Sequence, residues 1–345
     1  MQNDYQLLKG LRVALVGAGN ICQTGHIPTL HDLGVPIVSV TDPSQAALDD
    51  VRRLLPSSVE LINSSEGQVS PDAICAIVCS PPALHAKQVA SLFDQGLDVL
   101  CEKPLASSFL DAQAVAEIAR EKKRILQVGY FRRFHPAAHA IRALLRNGDL
   151  GEPCRCVINA GHIIASPSPL LMNLQLSGGG VVMDFGVHVI DRLVSWFDRI
   201  ELAEYADDAM GEMEANALIR MRGWVDQSAI EVEARFSRTS QLGYFGTVEF
   251  EEGSVDFELN AGHSLIMRGS RQVRILDHDC PMSGELRLGP PFRGGGYFRQ
   301  QFLEFAARVH GSSETWSCLS DAVQVNALVD ECYAHKSALQ TVYGD

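Results

Sequence analysis

From its N-terminus the chain alternates short, wholly apolar runs with longer amphipathic ones. Leu11–Val16, Ile37–Thr41, Ala73–Cys79, Val99–Cys101 and Ile125–Val128 are compact and rich in β-branched residues, as strands buried on both faces should be. Between them, Leu84–Gln95 and Leu110–Lys122 carry apolar residues at helical spacing. In the second, Leu110, Ala114, Ile118 and Ala119 are predicted to form one buried stripe. Gly96 and Lys122-Lys123 read as helix stops. Strand and helix in repeated alternation predict a doubly wound parallel sheet over residues 1–128.

After Gly129 the texture changes. Helices are predicted at Ala137–Leu145, Val181–Trp196, Phe298–Val309 and Asp321–Leu339, and a strand at Pro153–Asn159. Ala215–Met221, Ala229–Phe236 and Gly246–Phe250 alternate with period two. Glu252-Gly253 then turns the chain into Val255–Leu259, a hairpin signal. Shorter strands are expected near Leu265–Arg268 and Val273–Leu276. Strands in succession, with helices set apart, predict an α+β second domain over residues 129–345 with a largely antiparallel sheet. Along one strand Ile230, Val232, Ala234 and Phe236 alternate with Glu231, Glu233 and Arg235, a mixed surface usable between subunits.

Composition narrows the class. A chain of 345 residues, 46% of them apolar, is long enough for two cores. A net charge of −13 argues against a nucleic-acid partner, which needs clustered Lys and Arg. No apolar run is long enough to span a bilayer, and Met1–Lys9 does not read as a signal peptide. The nine cysteines form no CxxC pair, and several lie in apolar strands. That usage fits reduced thiols and a cytoplasmic location. His135 and His139 are four apart, but no further ligand cluster accompanies them, and no metal site is expected.

The first candidate site is Gly17-Ala18-Gly19-Asn20-Ile21-Cys22, directly after the first strand. There the first Gly permits a tight turn and the second lets backbone amides approach a pyrophosphate at a helix N-terminus. Cys22 stands where the pattern usually has a third Gly. Asp42 ends the second strand, where a carboxylate accepts from the ribose 2′-hydroxyl and repels a 2′-phosphate, predicting NAD over NADP. Pro28 should kink the helix after the loop.

Further motifs follow in order: Ser80-Pro81-Pro82 with His85, Glu102-Lys103-Pro104 at the end of Val99–Cys101, and Gly178-Gly179-Gly180 with Asp184 and His188. With the glycine loop, this set resembles the Gfo/Idh/MocA family of glucose–fructose oxidoreductase and inositol dehydrogenase. The resemblance implies a Rossmann domain followed by an open-faced sheet that commonly forms the oligomer interface, here a homodimer or homotetramer. It also implies hydride exchange between NAD(P) and a sugar, cyclitol or sugar derivative. By position, Lys103 matches the lysine that contacts nicotinamide side and substrate, and Glu102 a residue near the nicotinamide ribose. Ser80, Pro81, Pro82 and His85 match the loop that packs along the cofactor. Asp184 and His188 match the acid and histidine of the substrate domain. Arg132 and Arg133 fall in the segment that crosses between domains, Arg132 being a candidate substrate contact.

The chemistry needs these residue types. Oxidising a secondary alcohol releases a proton as well as a hydride, and a histidine titrates near working pH. An ammonium such as that of Lys103 stabilises a developing alkoxide. Asp184 and His188, four apart, share a helix face; Asp191, one turn on, reads as a structural residue that orients a neighbour. The stretch from Gly161 to Ser177, which in the family often contributes to the substrate pocket, is apolar here. That departure favours a glycoside or a less hydroxylated ring over a free sugar, whose hydroxyls demand many partners. Two other functions fit less of the pattern. A reductase of C=C or C=N bonds, as in relatives resembling biliverdin reductase, does not need the Asp184/His188 pair. A cofactor-binding regulator has no reason to keep Lys103 and His188 together.

Overall fold

The computed structural model describes residues 6–166, 168, 172–209, 213–260, 265–269, 273–276, 296–313, 315–340 and 343. It divides into two compact units, one formed by Met1–Phe131 with Arg287–Val323 and the other by Arg132–Leu286 with Gln324–Asp345. Among the described residues no helix is long and apolar enough to cross a membrane.

The first unit is built on β1 (Val13–Val16), β2 (Ile37–Asp42), β3 (Glu60–Asn63), β4 (Cys75–Val78), β5 (Asp98–Cys101) and β6 (Leu126–Val128). These lie in the order β3-β2-β1-β4-β5-β6, all parallel, so the chain reverses direction across the sheet beside β1. In open α/β sheets ligands bind at that reversal, outside the carboxyl ends of the strands. A π turn (Cys22–His26) leads into α1 (Ile27–Asp32), which carries Pro28 in its first turn. Pro28 has no N–H to donate, and it stands where the hydrogen-bond ladder is already irregular. The disturbance expected at Pro28 is therefore met by the π turn ahead of it. Then come α2 (Gln45–Arg52), α3 (Pro82–Asp94) and α4 (Phe109–Glu121).

The stripe predicted on α4 holds at Ala119 and in part at Ile118, but not at Leu110 and Ala114. Ala112, Val115, Ala116 and Ala119 are buried, whereas Leu110 is 72% exposed. Small residues let the helix lie close to its neighbours, and Leu110 sits in the first turn. The core of this unit also includes Phe302, Phe305 and Ala306, packed with Val13, Leu15, Leu30 and Leu100. They belong to α8 (Gly296–Val309), which the sequence groups with the second domain.

The second unit holds a nine-stranded sheet whose members are β7 (Pro153–Gly161), β8 (Arg199–Asp207), β9 (Asn216–Val225), β10 (Ser228–Ser237), β11 (Gly243–Phe250), β12 (Gly253–Glu258), β13 (Leu265–Gly269), β14 (Val273–Leu276) and β15 (Lys336–Ala338), in the order β14-β13-β12-β11-β7-β10-β9-β8-β15. The pairings are antiparallel except β7–β10 and β8–β15. The helices here are α5 (Pro136–Asn147), α6 (Leu174–Ser177) and α7 (Val187–Trp196), the last preceded by a second π turn, Val182–Gly186. The closing helix α9 (Leu319–Ala334) is shorter than predicted, because Lys336–Ala338 pairs with Tyr205–Asp207 instead. Ile230, Val232, Ala234 and Phe236 are all buried, so the accessible face of β10 is the charged one.

Candidate active site

In the first unit the glycine loop is shaped by contact. Gly17 has φ +97°, and a Cβ there would lie 2.6 Å from the Ser80 amide nitrogen and 2.7 Å from the Cys79 carbonyl carbon. Only glycine both adopts that backbone and lets β1 and β4 end so close together. Over Gly19 a Cβ would meet nothing within 4 Å, and Asn20 is exposed beside it while Ile21 immediately precedes the π turn. That open ledge at the start of a helix, where amides lack intrahelical partners, fits a dinucleotide pyrophosphate. Asp42 closes its side: Oδ2 accepts from the Ala18 amide and Oδ1 from the Ser44 amide, each at 2.8 Å. Cys22, fully buried, packs as the missing glycine would.

The Ser80-Pro81-Pro82 loop is fixed from beneath. Pro81 caps α3 and Pro82 opens it. His85 is completely buried, with Nε2 2.7 Å from the Ser80 carbonyl oxygen and Nδ1 2.8 Å from that of Pro104. Burial pushes its pKa down, against the pull of the two carbonyls. Its ring therefore ties the proline loop to the Glu102-Lys103-Pro104 turn. Glu102 is buried, its Oε1 accepting from His26 Nε2 at 2.8 Å and its Oε2 from the Lys103 amide at 3.2 Å. A Cβ on Gly129 would sit 3.1 Å from that carboxyl, which explains the glycine.

In the second unit Asp184 lies in the π turn and His188, one turn on, is the second residue of α7 and 5% exposed. The Asp184 carboxylate accepts from Arg238 Nη2 at 3.2 Å. Phe185 packs edgewise near the His188 ring, with centroids 6.2 Å apart, and lies 4.8 Å from the Tyr244 ring. The Arg132 guanidinium stands 4.5 Å over Phe185 and donates to Asn260 Oδ1 at 2.6 Å. Burial lowers its pKa to about 10. His162 and the Tyr244 hydroxyl are hydrogen-bonded partners. Thus the helix brings an acid, an imidazole and an aromatic face together, with two guanidiniums beside them.

The glycine triplet is explained by one residue far away in sequence. Glu214 accepts from the Gly180 amide (2.9 Å) and the Val182 amide (2.9 Å) through its carboxylate, and from the Val181 amide (2.9 Å) through its own carbonyl. It satisfies three amides that the helix start would leave open. The Tyr333 hydroxyl donates to the same carboxylate at 2.9 Å. Burial raises the Glu214 pKa, and these donors oppose it. Asp191 is paired with Arg133, whose Nε reaches both carboxylate oxygens at 2.8 and 2.9 Å. Arg192 meanwhile donates to His135 Nδ1 at 2.8 Å, so the helix anchors the segment that carries Arg132.

Residues 11–130 match a family described as an oxidoreductase family with an NAD-binding Rossmann fold, GFO_IDH_MocA. An inositol 2-dehydrogenase from Rhodococcus erythropolis is 30% identical over 52% of this chain and 51% of its own length. The chain thus spans about half the length of that curated relative. A D-glucoside 3-dehydrogenase from Escherichia coli is 26% identical over 75% of this chain and 74% of its own. Among solved structures, an inositol dehydrogenase homolog from Azotobacter vinelandii, complexed with NAD+, superposes with a TM-score of 0.79 at 18% identity, covering 94% of this chain and 95% of the other. That likeness is one of fold.

Proposed function

We propose, from the match of residues 11–130 to the GFO_IDH_MocA oxidoreductase family, that the chain is a nicotinamide-dependent oxidoreductase acting on a hydroxyl or keto group of a sugar, cyclitol or sugar derivative. The observation that carries this reading is the helix of the second unit, on which Asp184, Phe185 and His188 gather beside Arg132, Arg238 and Tyr244. When bound, the nicotinamide ring takes a hydride from, or gives one to, the reacting carbon. The chain's own residues handle the rest. His188 takes the hydroxyl proton during oxidation and returns it during reduction. Lys103 donates to the substrate oxygen and stabilises its developing negative charge. Asp184, fixed by Arg238, and Arg132 bind neighbouring substrate oxygens. Gly17, Gly19, Asn20, Ile21, Asp42, Ser80, Pro81, Pro82 and Glu102 form the nucleotide side, with His85 bracing it from below. Asp42 makes NAD the preferred cofactor over NADP.

The substrate carries an apolar portion in this reading. Ile163, Met172 and Leu174 are 61%, 63% and 44% exposed within the segment that precedes the glycine triplet, an arrangement suited to a glycoside. A cytoplasmic location is part of the proposal, supported by the free, buried thiols Cys22, Cys75, Cys79, Cys101, Cys156 and Cys332.

A panel of polyols, glycosides and keto-sugars with each cofactor, followed by nicotinamide absorbance, tests the activity. Lys103→Ala and His188→Ala should each lower turnover about a hundredfold or more while the protein stays folded. Near-wild-type turnover in both variants would falsify the assignment.

Assembly belongs to the same proposal: a homodimer or homotetramer built through the charged face of the second sheet. Arg155, Glu201, Arg220, Arg222, Trp224 and Glu231 line a groove of about 500 Å³ there. Arg220 pairs with Glu204 at 2.5 Å and Glu233 at 3.0 Å, and Arg199 lies 3.8 Å over Trp224. Interleaved charges of both signs are self-complementary across a two-fold axis. Light scattering behind size exclusion should return two or four chain masses; a single-chain mass at micromolar concentration refutes it.

A further inference from the structure

His26 is not part of any motif by which the nucleotide site is read, yet it holds the residue next to Lys103. We propose that His26 is a positioning residue for the Glu102 carboxylate, and through it for the Glu102-Lys103 turn, an inference that rests on the nicotinamide-dependent reading above. Four observations within the first unit carry it. His26 is the last residue of the π turn that begins immediately after the glycine loop. Its ring is 2% exposed, and Nε2 lies 2.8 Å from Glu102 Oε1. An ionised carboxylate only accepts, so Nε2 carries the proton and donates. The ring is fixed edge-on against Phe298 of α8, with centroids 5.2 Å apart and planes at 87°, while Phe298 stacks on Phe131 at 4.6 Å.

The geometry leaves Glu102 little choice. Its second oxygen accepts from the Lys103 amide, and the absence of a Cβ at Gly129 leaves room for the carboxyl just past the β6 end. Gly25, one residue before His26, has no Cβ because Phe298 ring carbons would be 3.0 Å from it. One buried N–H···O bond therefore registers the helix start to the strand end, and the Phe298 ring contact adds α8. A buried hydrogen bond to a charged group holds its partner far more tightly than a solvated one. The π turn has a local purpose here: it sets the imidazole where the Glu102 carboxylate is.

The test compares His26→Phe, which keeps the ring edge on Phe298 but lacks the donor, with His26→Gln, which restores an N–H donor. NAD+ affinity is read by protein fluorescence in the full-length protein, alongside kcat and KM on any substrate that wild type turns over. His26→Phe should weaken NAD+ binding about tenfold, the scale of losing one hydrogen bond to a charged group. His26→Gln should recover most of it. Adding His26→Phe to Glu102→Ala should cost nothing further, since His26 acts only through that carboxylate. Should His26→Phe not fold, His26→Leu, which also lacks the donor, takes its place in the cycle and must show the same non-additivity. Additive effects, or wild-type NAD+ affinity in His26→Phe, overturn the inference while leaving the parent reading intact. A wild-type protein that binds neither NAD+ nor NADP+ overturns both.

Discussion

Asp42 has two backbone donors on its carboxylate, and they determine what its loss does. One of them, the Ala18 amide, belongs to the glycine loop itself, so the side chain proposed to bind the ribose also shapes the loop. Asp42→Ala is therefore expected to weaken NAD+ binding about tenfold and to narrow the gap between NAD+ and NADP+. Fluorescence titration with both cofactors checks this, and an unchanged ratio would count against Asp42 as the discriminator. At this scale the legible residues are those whose partners are near in sequence or whose chemistry is stereotyped: Gly17, Asp42, Lys103, His188. Glu214 was not legible. It stands 34 residues from the Gly180 amide and 119 from Tyr333, and a glutamate before a strand looks like any solvated acid. His26 and Arg238 were hidden for the same reason, their carboxylate partners being 76 and 54 residues away.

Both π turns stand at the start of a helix that follows a glycine motif, Cys22–His26 in one unit and Val182–Gly186 in the other. Such turns interrupt the regular ladder and are frequent at functional sites. Hydrophobic periodicity could predict the helices that contain them but not the extra residue, because a five-residue irregularity leaves the apolar pattern on either side intact. The α4 stripe failed in part, and differently. Helical spacing of Leu110, Ala114, Ile118 and Ala119 placed the stripe part of a turn away from Ala112, Val115 and Ala116, which are buried with Ala119. β3 and β8, with exposed and charged positions along them, gave too little alternation to read as strands. The glycine triplet now has a structural cost attached to it. A Cβ on Gly180 would lie 2.0 Å from the Glu214 carbonyl oxygen, and one on Gly179 2.2 Å from the Tyr333 hydroxyl. The first obstacle is backbone, which cannot swing away. Gly180→Ala is expected to destabilise the protein by about 2–3 kcal/mol and lower Tm by roughly 5 °C or more. A thermal melt decides it, and a Tm within a degree of wild type would show that the helix start can shift.

The first unit is assembled from two stretches of chain, and its core depends on both. Phe302 and Phe305 are 1% and 0% exposed among residues of β1, α1 and β5. Losing one buried Phe typically costs 3–5 kcal/mol, on the order of a domain's whole stability. A fragment of residues 1–131 is therefore expected to lack a fixed tertiary structure although it contains the glycine loop, Asp42 and Lys103. Near-UV circular dichroism of the fragment, with and without a peptide covering 287–323, tests this; a native-like spectrum from the fragment alone would contradict it. The same discontinuity bears on how the protein is made. The strands that hold the nucleotide ledge leave the ribosome long before the helix that seals them. At typical synthesis rates the interval between residue 131 and residue 309 is roughly ten to forty seconds. For that time the half-built sheet presents an unfilled apolar slot sized for two phenylalanine rings. Nascent chains stalled within this interval are the ones on which a holding chaperone would have something to grip.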